Sequence, residues 1–271
     1  MPGVFSWARL GHVSTEGSDS TLWAGTEGAC TPCHQDTYGE NLVCQVAGTK
    51  LWTLFSPSHS ASLRPSRVPY EESSVYSLVN WHSLHNNTQQ VLDGLSQAEQ
   101  YVVSLSPGDV LYVPRLWWHH VVTTSPWSLS VNTWLHHPAD TTARLAEALV
   151  RWQVANFISG LGATTRRLVL NPNEDDLTDT NIEDISELVK QIKRQPTSGV
   201  SESEYFSYKY DGKVERLKPS AIQTPASSLS SECAGDSDDS IYSSSMVKVL
   251  NSLTQQDVIA AAVQNVLSSD L

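Results

Sequence analysis

Little in this sequence is basic. Of its 271 residues, 17 are Lys or Arg and 29 are Asp or Glu, giving a formal net charge of −12. Phosphate-binding surfaces rest on clustered Lys and Arg, so no nucleic-acid partner is expected. No apolar run reaches the roughly 20 residues that a bilayer-spanning helix needs, so no membrane partner is expected either. The opening MPGVFSWARLGHVSTEG lacks the charged-then-apolar order of a secretory signal. Cysteine is scarce: Cys30, Cys33, Cys44 and Cys233 do not resemble a disulfide framework. A reducing compartment fits better, and the expected location is cytoplasmic or nuclear.

What is present suits a globular chain carrying some disorder, with 39% hydrophobic and 17% charged residues. From about residue 20 to 136, Val, Leu, Trp, Tyr and Thr alternate with Gly, Pro and Ser clusters, the pattern of many short strands. Expected strands cover 21–25, 41–47, 50–55, 101–105, 110–113, 119–123 and 129–134. Gly48-Thr49 reads as a tight turn and Pro107-Gly108-Asp109 as another. Residues 56–100 read as a long irregular excursion of the kind that carries lids or binding loops.

After Pro138 the period changes. Leu145, Leu149 and Trp152 recur at helical spacing towards Gly160, and 181–194 is a second helix candidate. The Ser-rich stretch 198–245 reads as disordered linker. Near the end, Ser252 and Gln255 resemble a capping box, with Ile259, Val263, Val266 and Leu267 along one helical face. The expected organisation is therefore a mainly β domain over 1–137, a helical extension over 138–197, a linker over 198–245 and a C-terminal helix over 246–271. That last helix is expected to dock on the Leu145/Leu149/Trp152 face or on a second subunit, forming a homodimer.

The stretch CTPCHQD, residues 30–36, can be read three ways. C-x-x-C-H is a c-type haem attachment pattern, C-x-x-C is half a zinc site or a redox dithiol, and H-x-D supplies two ligands of a non-haem iron site. On a strand, residues i and i+2 share a face, so His34 and Asp36 present imidazole and carboxylate together. Alone, such a pair is most simply a surface His near a turn Asp. A third ligand candidate lies far downstream in PRLWWHHVV, where His119 and His120 are adjacent and so point to opposite faces. Two histidines and one carboxylate leave positions open on a metal, which suits Fe(II) rather than closed structural zinc. Lys50 in GTKLWTLF is either an exposed edge residue or a buried cation awaiting an anion, and composition does not choose.

The stretches TPCHQDTYGENLVCQVAGTKLWTLFSP and LSPGDVLYVPRLWWHHVVTTSPWSLSVNTW together resemble the JmjC, cupin-like family of Fe(II)/2-oxoglutarate oxygenases. Within it, TPCHQDTYG, RVPYEESSVYS and the C-terminal Leu- and Val-rich helix are most similar to a branch associated with small heat-shock proteins. The resemblance is strong over about 20–155. It implies a double-stranded β-helix (jelly-roll) barrel and, as cofactors, Fe(2+) and 2-oxoglutarate. Position by position it places the iron ligands on His34, Asp36 and His119, with His120 facing away. It places the cosubstrate on Thr31, Asn41, Lys50, Asn132 and Trp134.

The implied activity is hydroxylation or demethylation of a protein side chain. The alternative is a non-catalytic scaffold for a small heat-shock protein. Against the family pattern this chain begins almost at the barrel, so the barrel is expected to be N-terminally truncated and slow to turn over. Glu40 adds a negative charge beside the cosubstrate position.

Overall fold

The computed structural model describes residues 7, 20–79, 95, 98–174, 177, 181–194, 215, 217–219 and 245–269. Among the described residues ten strands come first: β1 Thr21–Thr26, β2 Cys30–Asp36, β3 Glu40–Ala47, β4 Lys50–Phe55, β5 Pro65–Ser66, β6 Ser74–Ser77, β7 Gln100–Leu105, β8 Val110–Val113, β9 Trp118–Thr123 and β10 Trp127–Leu135. They form two antiparallel sheets, one ordered β1-β10-β3-β8 and the other β5-β6-β2-β9-β4-β7. All seven expected strands are present, with edges moved by a residue or two. Of the expected excursion 56–100, the part over 56–79 is more regular than its prolines imply, and most of the remainder lies outside the described residues. That part supplies β5 and β6, and β6 pairs directly with β2.

Side-chain alternation gives each sheet an inner and an outer face. Val43, Leu111 and Val113 from one sheet meet Trp52, Leu54, Leu105 and Val121 from the other in a shared core, which defines the inner face. On the outside of the six-stranded sheet, Cys33, Phe55 and Trp118 are covered by Leu63, Val75, Val79, Leu95 and Ala98. That is why all six residues of β9 are buried: it lies mid-sheet with an apolar layer on each face. Gly48, at φ +65, turns β3 into β4 as the sequence implies, and an added Cβ would stand 2.0 Å from the Trp127 carbonyl oxygen.

Among the described residues five α-helices follow: α1 Asp140–Ser159, α2 Ala163–Val169, α3 Ile182–Arg194, α4 Ser245–Leu253 and α5 Gln256–Ser268. On α1 the buried stripe is Leu145, Val150, Val154 and Ile158. Leu149 is partly buried, whereas Trp152 is 41% exposed and faces away from the stripe. Asn181 starts α3, its Oδ1 accepting from the Glu183 amide.

The C-terminal segment is two helices rather than one, and no capping box forms. Ser252 lies inside α4 and donates to the Lys248 carbonyl, while Thr254 Oγ1 donates to Leu250 O at the break. Ile259 and Val263 of α5 are buried in one cluster with Leu145, Val150 and Val154 of α1, so this face is covered within the chain. The expected linker 198–245 lies almost wholly outside the described residues.

Candidate metal centre

The site is built on adjacent strands. In β2 and β9, His34 and His119 are direct cross-strand partners. Their ring centroids are 4.2 Å apart. Asp36 follows His34 on the same face. One ligand atom from each of His34, Asp36 and His119 lies within 4.8 Å of the others. Asp36 Oδ1 is 3.6 Å from His34 Nε2.

Both imidazoles are oriented from behind. His34 Nδ1 is 2.9 Å from the Pro32 carbonyl oxygen and His119 Nδ1 is 3.1 Å from that of Trp117. A carbonyl only accepts, so each Nδ1 carries a proton, which leaves each Nε2 as the ring atom available to a ligand. Burial, followed by the neighbouring His34, pushes the His119 pKa down to about 4. It is therefore neutral, as a metal-ligating histidine must be. Two imidazole Nε2 atoms and a carboxylate are a donor set that fits Fe(II). His120, one residue on, lies on the outer face opposite Thr53.

Thr31 stands three residues before His34, a spacing that in a regular strand puts the two on opposite faces. The β2–β9 register shifts between them, so that Thr31 pairs with Val121 while His34 pairs with His119. The extra residue is a bulge at Pro32-Cys33, and it returns Thr31 to the inner face. The same bulge leaves Cys33 on the outer face, buried against Phe55 and Trp118. Cys33 and Cys44 are free thiols, Cys30 is disulfide-bonded, and none of the three belongs to the His-Asp-His cluster.

Further along the inner face is a polar row. Lys50 is only 8% exposed and its Nζ donates to Ser130 Oγ at 2.7 Å. Burial lowers its pKa. Among the described residues no carboxylate stands within ion-pair distance of it, so this is a buried cation without an anion. Asn132 Nδ2 donates to Asn41 Oδ1, and Trp23 Nε1 donates to Asn132 Oδ1, each at 2.9 Å. Trp134 Nε1 donates to Asp36 Oδ2 at 3.1 Å. Glu40 alternates with Asn41 and so faces outward, where burial raises its pKa and Tyr112 partly offsets that. Its charge is not beside the inner-face row.

Three neighbours were not legible as site residues. Trp52 stacks on His119, with ring centroids 5.8 Å apart. It stands two residues from Lys50 on one strand, so parity alone could have found it. Tyr76 is the cross-strand partner of His34 from β6. Its hydroxyl contacts Glu71 and accepts from Asn171 Nδ2, and burial raises its pKa. Ser130 had no signal beyond its place two residues before Asn132.

Residues 5–141 match the family described as Cupin-like domain. Among curated proteins, the chain is 44% identical over 194 residues to HSPB1-associated protein 1 homolog of Danio rerio, covering 70% of this chain and 42% of that protein. It is 43% identical over 168 residues to HSPB1-associated protein 1 of Homo sapiens, covering 62% and 34% respectively. Jumonji C domain-containing protein 5 of Drosophila melanogaster is 30% identical over 129 residues, covering 47% and 30%. The chain thus spans well under half the length of these relatives. Among solved structures, recombinant oxalate oxidase in complex with glycolate matches 44% of this chain and 43% of that one, at 11% identity and a TM-score of 0.27. That likeness is too slight to bear on function.

Proposed function

The chain belongs to the cupin-like domain family, and from that premise we propose that it is an Fe(II)- and 2-oxoglutarate-dependent oxygenase acting on a protein side chain, as hydroxylase or demethylase. One observation carries the reading. A two-histidine, one-carboxylate cluster and a buried lysine with no anion among the described residues share the inner face.

When bound, Fe(II) with 2-oxoglutarate supplies the electrons that activate dioxygen towards a substrate C–H bond. The chain's own residues do the rest. His34 Nε2, His119 Nε2 and the Asp36 carboxylate would hold the metal. Lys50 is the cation for the distal carboxylate, with Ser130 steering its Nζ. Thr31, Asn41 and Asn132 supply polar groups along the same wall, and Trp134 restrains Asp36. The apolar layer of Trp52, Leu54 and Val121 keeps bulk water from that side of the site.

Anaerobic addition of Fe(II) and then 2-oxoglutarate tests this directly. A weak visible charge-transfer band from the chelated keto acid is expected. Bound Fe(II) that gives no such band with 2-oxoglutarate overturns the proposal.

A second reading is favoured by the names of the relatives, which associate them with HSPB1. On it the chain is a non-catalytic scaffold that binds a small heat-shock protein. A chain that retains HSPB1 on a column, yet forms no succinate from 2-oxoglutarate, belongs to this second reading.

A further inference from the structure

Asp36 is the last residue of β2, and the backbone around it is fixed from outside the sheet. Its cross-strand partner on β6 is Ser74, and the next amide, Thr37 N, donates to Ser73 O at 2.9 Å. Ser73 itself lies in the left-handed region at φ 61. A residue with a Cβ keeps that conformation only where its surroundings impose it.

What imposes it comes from α1. Glu147 accepts from Ser73 N at 3.1 Å and from both terminal nitrogens of Arg67. Arg67 Nη1 also donates to Ser74 O at 3.1 Å. The amide of Arg67 donates in turn to Asn251 Oδ1 of α4 at 3.0 Å, so the guanidinium projects from a fixed backbone.

Seven residues earlier, and so on the same face of the helix, Asp140 holds the other flank. Its Oδ1 accepts from Gly39 N at 2.9 Å and its Oδ2 from His137 N at 2.8 Å. His136 Nδ1 lies 3.2 Å from Oδ2 and Arg115 Nε 3.8 Å from Oδ1. Gly39 belongs to the turn that follows Asp36, and Arg115 to the turn that precedes His119. Both carboxylates are almost wholly buried.

Apolar packing does not supply this hold. A cavity of about 620 Å³ lies behind Gln35, lined by Gln35 and Thr37 at the β2 end and by Ala143 and Ala146 of α1. The helix therefore reaches that strand end through its acids. Stability gives little reason to keep charge there, because an apolar pair in place of a buried ion pair is often as stable or more so. Orientation does give one: a carboxylate that accepts a backbone N–H fixes where that backbone runs, and an apolar side chain does not.

We propose that Asp140 and Glu147 are positioning residues for the metal centre. From one face of α1 they fix the turn that follows Asp36 and the strand that pairs with it, and so hold the Asp36 carboxylate where His34 and His119 converge. The inference rests on reading the His34/Asp36/His119 cluster as a metal site.

Equilibrium dialysis of the full chain against Co(II), alongside urea unfolding, provides the test. Arg67→Met combined with Glu147→Leu leaves no charge unpaired and is expected to keep most of the wild-type stability. It is nevertheless expected to weaken Co(II) about tenfold, the lower end of the loss that follows removal of a partner behind a metal ligand. Asp140→Asn changes one buried group without changing its size and should weaken Co(II) by a similar factor; it serves if the paired variant does not fold. A merely structural role would lower the urea midpoint and leave the Co(II) affinity of the folded protein unmoved. Undiminished affinity in either folded variant, with the wild type binding Co(II), overturns the proposal. A wild type that binds no Co(II) overturns the metal reading and the proposal with it.

Discussion

Trp134 and Asp36 stand on different sheets, and the indole Nε1–H of the first donates to Oδ2 of the second at 3.1 Å. Asp36 also has His34 Nε2 3.6 Å from its other oxygen. The carboxylate is thus held by a donor from the facing sheet before any metal arrives. Removing an outer partner of a metal-ligating group typically lowers metal affinity about 10–100-fold. Trp134→Phe keeps the ring and loses the donor. Its affinity for Co(II), followed by visible absorption, is expected to fall within that range while thermal stability changes little.

The two adjacent histidines should behave oppositely. His119 shares the inner face with His34 and Asp36, and His120 lies across the sheet from them. His119→Ala is expected to abolish stoichiometric Co(II) binding, and His120→Ala to leave it within about threefold, as distant independent sites are. Equilibrium dialysis distinguishes the two. Loss of binding on replacing His120 would show that β9 pairs one residue out of the register found here.

Lys50 sets stability against binding. Its burial lowers the pKa below the ordinary 10.5. The folded ligand-free protein therefore releases this proton at lower pH than the unfolded chain does. Between the two pKa values the unfolded state binds more protons, so stability contributed by this group rises with pH and levels off above 10.5. Lys50→Met should remove that rise and make the ligand-free protein more stable at neutral pH. On the proposed function it should also abolish the stabilisation expected from 2-oxoglutarate. Melting temperatures followed as pH is raised towards the ordinary lysine value of 10.5, with and without 2-oxoglutarate, check all three.

Glu147 is 3% exposed and accepts from Arg67 and from the Ser73 amide, tying α1 to the loop ahead of β6. Leaving one member of a buried ion pair alone costs about 3–5 kcal/mol. Glu147→Ala should lose that much in urea unfolding. Arg67→Met combined with Glu147→Leu should recover most of it, because no charge is then left unpaired.

Gly48 is the position least open to change in the β3–β4 turn. Its φ of +65 is disfavoured for any residue with a Cβ, by about 1–2 kcal/mol. The added Cβ would also stand 2.0 Å from Trp127 O, and backbone cannot yield as a side chain does. Gly48→Ala is expected to lose more than the conformational cost alone, seen as a lower urea midpoint with an unchanged slope.

Local rules carried the sequence reading a definite distance. Strand alternation places His34 and Asp36 on one face, separates His119 from His120 and turns Gly48 into a hairpin, because each depends only on neighbours in the chain. The tertiary structure decided the rest. Sequence spacing sets Thr31 and His34 on opposite faces, and only the pairing with β9 shows the bulge that brings them together. A Lys on a strand is exposed or buried according to which sheet lies opposite, and Ser130 answers that for Lys50. Glu40 sits next to Asn41 in the chain yet belongs to the other face of the sheet. The prolines of 56–100 hid β6, whose place is fixed by its partner β2 rather than by its own propensity. The cavity behind Gln35 is formed by residues more than 200 positions apart, so no window of sequence contains it. Alternation is written into adjacent residues, whereas register, bulges and cavities depend on which distant segment packs alongside.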